Sequence, residues 1–311
     1  MSNLSSPTLP RICWHLTQVA AHLVVALIAL LVIGGATRVM EAGLACPDWP
    51  LCYGSFLPGK QMNVQVFLEW FHRLDAFLVG LALLVQFGFS FLWRSLLPKW
   101  LPWIYGVLVI LVAIQGGLGA MTVLNLLPST IVSAHLFLAL LLIAITSALT
   151  QILQSKGQTK SPLWWKIFSC ISLVAVISQS LLGARMATTW ASKICIDRGD
   201  HCYLLNWHRI SAIPVALIII FFVIYSLASV GWTRSQWPFL LMILMLLIAQ
   251  VSIGYFSINL ELSQPILTIS HQLIAALLVA FLSALIFRSS DQDLDRFSKL
   301  RKQRFLEACH G

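Results

Sequence analysis

The sequence predicts an all-α integral membrane protein, with eight transmembrane helices forming two homologous four-helix bundles. Three observations predict it. Of 311 residues, 59% are hydrophobic and 10% charged, with mean hydropathy +0.87, whereas soluble domains carry about 25% charged residues. Eight apolar runs reach the ~20 residues a helix needs to cross a hydrocarbon layer ~30 Å thick. The chain also repeats itself. His72 and His135 are 63 residues apart, as are His208 and His271, and a shift of 136 superimposes the pairs. The same shift lays Trp70-Phe71-His72-Arg73-Leu74 over Asn206-Trp207-His208-Arg209-Ile210, and Ser133-Ala134-His135-Leu136 over Ile269-Ser270-His271-Gln272. Such internal repetition marks a duplicated structural unit.

The runs lie near 15–37, 65–93, 101–123, 129–153, 164–188, 204–229, 237–257 and 264–288. Each is expected to be helical, because hydrocarbon offers no partner for free backbone N–H and C=O groups. The first follows a polar stretch, Met1 to Pro10, without a small-residue cleavage site after an apolar core, so it reads as a retained helix. The link from Gln154 to Pro162, with Ser, Gly and Lys, divides the chain into halves 1–154 and 155–311 of four helices each. Small residues cluster near the same end of each odd-numbered span: Gly34-Gly35-Ala36, Gly116-Gly117-Leu118-Gly119-Ala120, Gly183-Ala184 and Ser252-Ile253-Gly254. They allow close helix packing or leave room for a flat ligand. Gln115, Gln179 and Gln250 precede three of these patches, which hints at a finer repeat of helix pairs. All four repeated histidines fall on even-numbered spans, roughly two turns inside the same boundary.

Basic residues orient the spans. Thirteen lie on the side of the termini: Arg11, Arg94, Lys99, Lys156, Lys160, Lys166, Arg234, Arg288, Arg296, Lys299, Arg301, Lys302 and Arg304. Seven lie opposite, so both termini are expected in the cytoplasm. A basic cytoplasmic rim accounts for the +9 charge without nucleic acid. Cys13 and Cys309 belong to the terminal side and Cys170 to a span, whereas Cys46, Cys52, Cys195 and Cys202 occupy the two long loops opposite. The spacings suggest bridges Cys46 to Cys52 and Cys195 to Cys202, although four cysteines allow three connectivities. Both a loop staple and a redox role are compatible with that placement.

Polar residues inside a span are costly and point to function. A single buried histidine is as readily a satisfied core residue as a ligand, but four in a duplicated pattern favour ligation. Two per half are too few for a four-coordinate zinc site, while two imidazoles facing across a bundle suit the axial positions of a haem iron. Arg73 and Arg209 each follow a repeated histidine, placed to meet haem propionates or to snorkel to the interface. The halves differ in one informative way. Glu69 stands three residues before His72 on the same helix face, and its counterpart is Leu205; Asp75 likewise has Ser211 as its counterpart. A carboxylate beside one site and not the other suggests chemistry at the first and a fixed cofactor at the second. Pairing of Glu69 with Arg73 is the structural reading.

The chain resembles the haem A synthase family, the Cox15/CtaA proteins, over essentially its whole length. The resemblance rests on eight helices in two halves, Glu69-Trp70-Phe71-His72-Arg73, His135, His208 with His271, and the Cys46 and Cys52 pair. It implies oxidation of the C8 methyl of haem O through an alcohol to the formyl group of haem A, for cytochrome oxidase. It implies a catalytic set of Glu69, His72 and His135 at the substrate haem and a haem b on His208 and His271. It further implies a multi-pass bacterial cell-membrane protein that meets a haem O synthase and an electron donor. The pair Cys195 and Cys202 resembles a bacterial subset of the family. Two other classes fit part of the pattern: a bis-histidine cytochrome that only relays electrons, and a membrane thiol-disulfide oxidoreductase acting through the loop cysteines.

Overall fold

Every expected apolar run folds as one long helix. The computed structural model describes residues 9–154, 159–200, 202–229 and 231–290. The helices are α1 (Leu9–Val39), α2 (Val64–Leu92), α3 (Leu101–Leu124), α4 (Ser129–Gln154), α5 (Leu163–Thr188), α6 (Ala191–Arg198), α7 (Cys202–Ala228), α8 (Trp237–Asn259) and α9 (Pro265–Ile286). All but α6 are long and apolar enough to cross a membrane. Cys309 and, of the basic residues counted for orientation, Lys156, Arg296, Lys299, Arg301, Lys302 and Arg304 lie outside the described residues.

Local signals set the helix ends. Asn63 caps α2, its side-chain oxygen accepting the Val66 N–H at 2.9 Å, one of the first-turn donors that lack an intrahelical partner. Pro102, Pro238 and Pro265 sit in first turns, where a missing N–H costs nothing. The ends of α1, α3, α5 and α8 share a device that periodicity does not reveal. Glu41, Leu126, Trp190 and Glu261 each stand two residues beyond the helix in the left-handed region, with φ of 55°, 58°, 55° and 53°. Such a residue closes the last turn by letting later N–H groups reach back to its carbonyls, as Ala42 does to Thr37 at 2.6 Å, Leu127 to Thr122 at 2.7 Å and Leu262 to Ser257 at 2.9 Å.

In the first half α1 packs on α2 and α4, and α3 on α2 and α4; in the second, α5 packs on α7 and α9, and α8 on α7 and α9. The seam between them is formed by α1 and α4 against α9, with α4 also touching α5. Burial identifies its centre: 56% of the apolar stretch of α4 and of α9 is buried, against 33% or less in the other six spans. Without a hydrophobic drive between helices in lipid, packing and interhelical hydrogen bonds must hold such a seam. Ser147 Oγ donates to the Ala280 carbonyl at 2.7 Å, and Ser283 Oγ donates to the Ala144 carbonyl at 2.6 Å. These two bonds are exchanged by the same shift of 136 residues, so α4 and α9 meet about a local two-fold axis. Trp165 Nε1 adds a bond to the Leu285 carbonyl at 2.7 Å. Replacing both Ser147 and Ser283 by Ala should lower resistance to unfolding in detergent by about 1 kcal/mol, since such bonds average ~0.6 kcal/mol each. Thermal or SDS titration of the double variant checks it.

Two features were not expected from the sequence. The link after α4 carries a two-residue strand, Thr159–Lys160, paired antiparallel with Ser289–Ser290 after α9. The second long loop, anticipated only as a stapled loop, contains the eight-residue helix α6.

Candidate functional site

The four repeated histidines occupy equivalent depths. His72 lies eight residues after Val64, and His135, His208 and His271 lie six residues after Ser129, Cys202 and Pro265. All four line one cavity of about 1750 Å³ at the end of the bundle that carries the long loops. Ligand pockets usually measure ~300–1,000 Å³, so this one has room for more than one bulky ligand.

Each imidazole rests on a glycine of the preceding long helix. A Cβ on Gly34 would stand 2.8 Å from His72 Cε1, one on Gly119 3.3 Å from His135 Cε1, one on Gly183 3.0 Å from His208 Cε1, and one on Gly254 2.9 Å from His271 Cε1. All four glycines lie five residues before the end of their helix. The missing side chain is therefore the space the ring occupies. Four residues earlier stand Gln115, Gln179 and Gln250, with Leu30 at the matching place of α1. Gln115 Nε2 donates to the His135 carbonyl at 3.1 Å, and Gln179 Nε2 donates to the His208 carbonyl at 2.6 Å. The amide of Gln179 also lies 3.2 Å from His208 Nδ1, that of Gln250 3.2 Å from His271 Nε2, and Ser211 Oγ donates to Gln179 Oε1 at 2.7 Å. The finer repeat is thus a helix pair, glutamine and glycine on one helix holding histidine on the next. The first pair departs from it at Leu30.

The His208 and His271 rings meet edge to face, with centroids 6.5 Å apart and planes inclined at 69°. Two imidazoles holding one metal from opposite sides, with nitrogens ~2 Å from the metal and ring centres ~1 Å behind them, would have centroids ~6 Å apart. Nδ1 of His72, His135 and His271 is buried without a hydrogen-bond partner, a state that in native proteins calls for an explanation. Four imidazoles seated in glycine recesses around one large cavity fit a flat macrocycle whose iron they would hold.

The first site has a roof. Between α1 and α2 the chain forms a loop bridged by the Cys46 to Cys52 disulfide, and three residues of α2 hold it down. Glu69, buried, accepts the Cys46 N–H on Oε2 at 2.8 Å and pairs through Oε1 with Arg73 at 2.5 Å. Arg73 also donates to the carbonyls of Asp48 and Leu51, each at 2.5 Å, and of Cys46 at 3.2 Å. Trp70 Nε1 donates to the Phe56 carbonyl at 2.5 Å. Within the loop, the N–H groups of Gly54 and Tyr53 hold the Asp48 carboxylate below the usual carboxylate range, bonding it at 2.8 and 2.6 Å. Arg73, for which the sequence left both a propionate contact and snorkelling open, bonds the loop carbonyls and Glu69 while also lining the cavity. Glu69 is placed as its structural reading predicts, in a salt bridge one turn long, while its exposure to the cavity is retained.

The second half lacks this clamp. Leu205 is buried where Glu69 has its counterpart, and the side chain of Arg209 is exposed while still lining the cavity. Its loop is closed by α6 and the Cys195 to Cys202 bridge, so both disulfides suggested by spacing are formed. Cys46 and Cys52 are 0% and 1% exposed. Alkylation of either should therefore require both reductant and loosening of the loop, and mass-shift labelling of isolated membranes with and without reductant checks it. Labelling of untreated native protein at Cys46 or Cys52 would contradict the bridge. The parts that sequence reasoning missed are the four glycine contacts and the clamp by Trp70; the constant distance from each glycine to its helix end was the available signal.

Comparison with known proteins follows the same pattern. The model of the family COX15-CtaA, described as cytochrome oxidase assembly protein, matches residues 17–282. A heme A synthase from Bradyrhizobium diazoefficiens is 31% identical over 223 residues, covering 60% of this chain and 60% of that protein. Heme A synthases from Shewanella oneidensis and Rhodopseudomonas palustris are each 30% identical, over 190 and 206 residues, covering 53% and 55% of this chain. The matched segments span 60%, 55% and 56% of the length of these three relatives. Eight apolar helices and a family match extending from the first of them into the last agree with one another, and the chain belongs to the COX15-CtaA family of cytochrome oxidase assembly proteins.

Proposed function

We propose that the chain is an oxidoreductase of haem A biosynthesis, oxidising the C8 methyl of haem O through an alcohol to a formyl group. The observation that carries this reading is the duplicated set of four histidines, each ring seated on a glycine and all four lining one cavity. Relatives named heme A synthase support it. In this reading the halves 1–154 and 155–311 are homologous four-helix bundles. His72 and His135 would hold the substrate haem, and His208 and His271 would hold a haem b. When bound, the haem b supplies a one-electron redox centre.

The chain's own residues position and enclose. The glycine recesses and the Gln115, Gln179 and Gln250 amides fix where the imidazoles stand. Glu69 supplies negative charge at the edge of the first site, where it stabilises developing positive charge on the substrate or accepts a proton. Its bonds to Cys46 N–H and Arg73 couple that charge to the disulfide loop. Arg209, which lines the cavity and has no hydrogen bond or ion pair among the described residues, is placed to meet carboxylates at the second site. Both termini face the cytoplasm of a bacterial cell, and the disulfide loops face the oxidising side. A haem O synthase delivers the substrate, and because methyl to formyl is a four-electron oxidation, an external oxidant takes part alongside the separate electron donor.

Haem analysis of the purified protein from cells that supply haem O tests this reading. Haem A or its alcohol precursor bound to the protein is the expected result. Haem b alone would favour an electron relay, and a colourless protein would favour thiol exchange through the loop cysteines.

A further inference from the structure

At the first site the Arg73 guanidinium lines the cavity but is already hydrogen-bonded to Glu69 and to the loop carbonyls of Asp48, Leu51 and Cys46. Another cation stands nearby. Arg38 lies four residues after Gly34 on α1, hence on the same helix face and ~6 Å further along the axis. Gly34 is the residue against which the His72 ring packs, so Arg38 rises from the wall of that site towards the loops. It lines the same cavity as His72 and His135. Its guanidinium forms no hydrogen bond or ion pair with the described residues; it sits 5.3 Å over the Trp190 ring, which Lys193 approaches at 5.9 Å. Trp190 comes from the second half, at the start of α6, and is held by its left-handed backbone, φ 55°. Glu41, Lys193, Asp197 and Arg198 share an adjoining recess with Trp190, and Glu41 also reaches the main cavity, beyond ion-pairing distance of Arg38.

A partly buried guanidinium that is stacked on one face and unpaired at its edge is set up for a planar anion. Stacking restricts the side chain and leaves the N–H fork directed past the ring. We propose that Arg38 is the carboxylate-binding residue of the first site, receiving the acidic side chains of the tetrapyrrole held at His72 and His135. This rests on the haem reading above. Arg38 would then fix the rotation of the macrocycle in its plane, and so determine which ring edge faces Glu69. It is a positioning residue for the reaction, and Trp190 extends that role across the seam between the halves.

The test uses the full-length protein in detergent, titrated with ferric protoporphyrin IX and with its dimethyl ester, whose carboxylates are masked. The component abolished by His72→Ala is taken as the first site. The wild type should bind the free acid roughly ten- to a hundredfold more tightly than the ester, the range of a hydrogen bond to a charged group. Arg38→Gln should lose most of that preference while binding the ester as the wild type does, which also shows that it has folded. Arg38→Lys keeps the charge without the fork and should fall between. An Arg38→Gln protein that retains the wild-type preference overturns the proposal, including where the variant merely loses co-purifying anionic lipid. A wild type that binds neither probe overturns the haem reading and this proposal together, whereas unchanged preference in the variant overturns only the role of Arg38.

Discussion

Replacing His208 or His271 by Ala should strip the second-site haem from the purified protein. Their rings lie 6.5 Å apart, edge to face, and each is seated on a glycine. Losing a ligand outright should cost more than losing an outer partner of one, itself ~10- to 100-fold in affinity. The expected outcome is loss of the six-coordinate low-spin spectrum from that site in either variant. Gly254→Leu provides an independent route to the same result, because even a Cβ there lies 2.9 Å from His271 Cε1 and the larger side chain must displace the ring. A low-spin spectrum retained in both histidine variants would remove the assignment.

Glu69→Gln should leave second-site haem in place and reduce conversion of haem O by ~10²- to 10⁴-fold, the usual worth of a positioned proton-transfer group. The structure adds a second consequence. Glu69 accepts the Cys46 N–H and pairs with Arg73, so removing its charge also loosens the disulfide loop. Arg73→Gln separates the two effects, since it frees the loop carbonyls of Asp48, Leu51 and Cys46 while leaving the carboxylate charged. If charge at the substrate is what matters, Arg73→Gln should retain far more activity than Glu69→Gln at equal expression. Chromatography of haem O, the alcohol and haem A, with cysteine labelling of the same samples, measures both. Equal, small losses in the two variants would make Glu69 a residue of the loop alone.

The spans were legible because hydrocarbon imposes one solution on every apolar run, and the duplication was legible because histidines and their neighbours recur at a constant shift. Ser147 and Ser283 carry the same shift into the seam, yet nothing in their sequence context distinguishes them from other serines in spans. The loop bonds of Arg73 were hidden for a related reason. A histidine-arginine dipeptide gives helix phase, but whether the guanidinium meets a ligand or a loop depends on where residues 46–51 come to lie, which is a matter of tertiary placement. Gly34, Gly119, Gly183 and Gly254 were visible as small residues; their partners lie on a different helix, so spacing alone left ligand space open beside the commoner reading of close packing. The left-handed residues Glu41, Leu126, Trp190 and Glu261 were invisible because none is glycine or asparagine.

The central claim is that two histidine pairs make two tetrapyrrole sites, only the first of which does chemistry. Haem stoichiometry and type in protein purified from cells supplying haem O, compared between wild type and His72→Ala, test it most directly. The wild type should carry haem b together with haem O or its oxidised products, and His72→Ala should keep the haem b and lose the rest. A His72→Ala protein that still forms haem A at the wild-type level, or a wild type that binds a single haem, would contradict it.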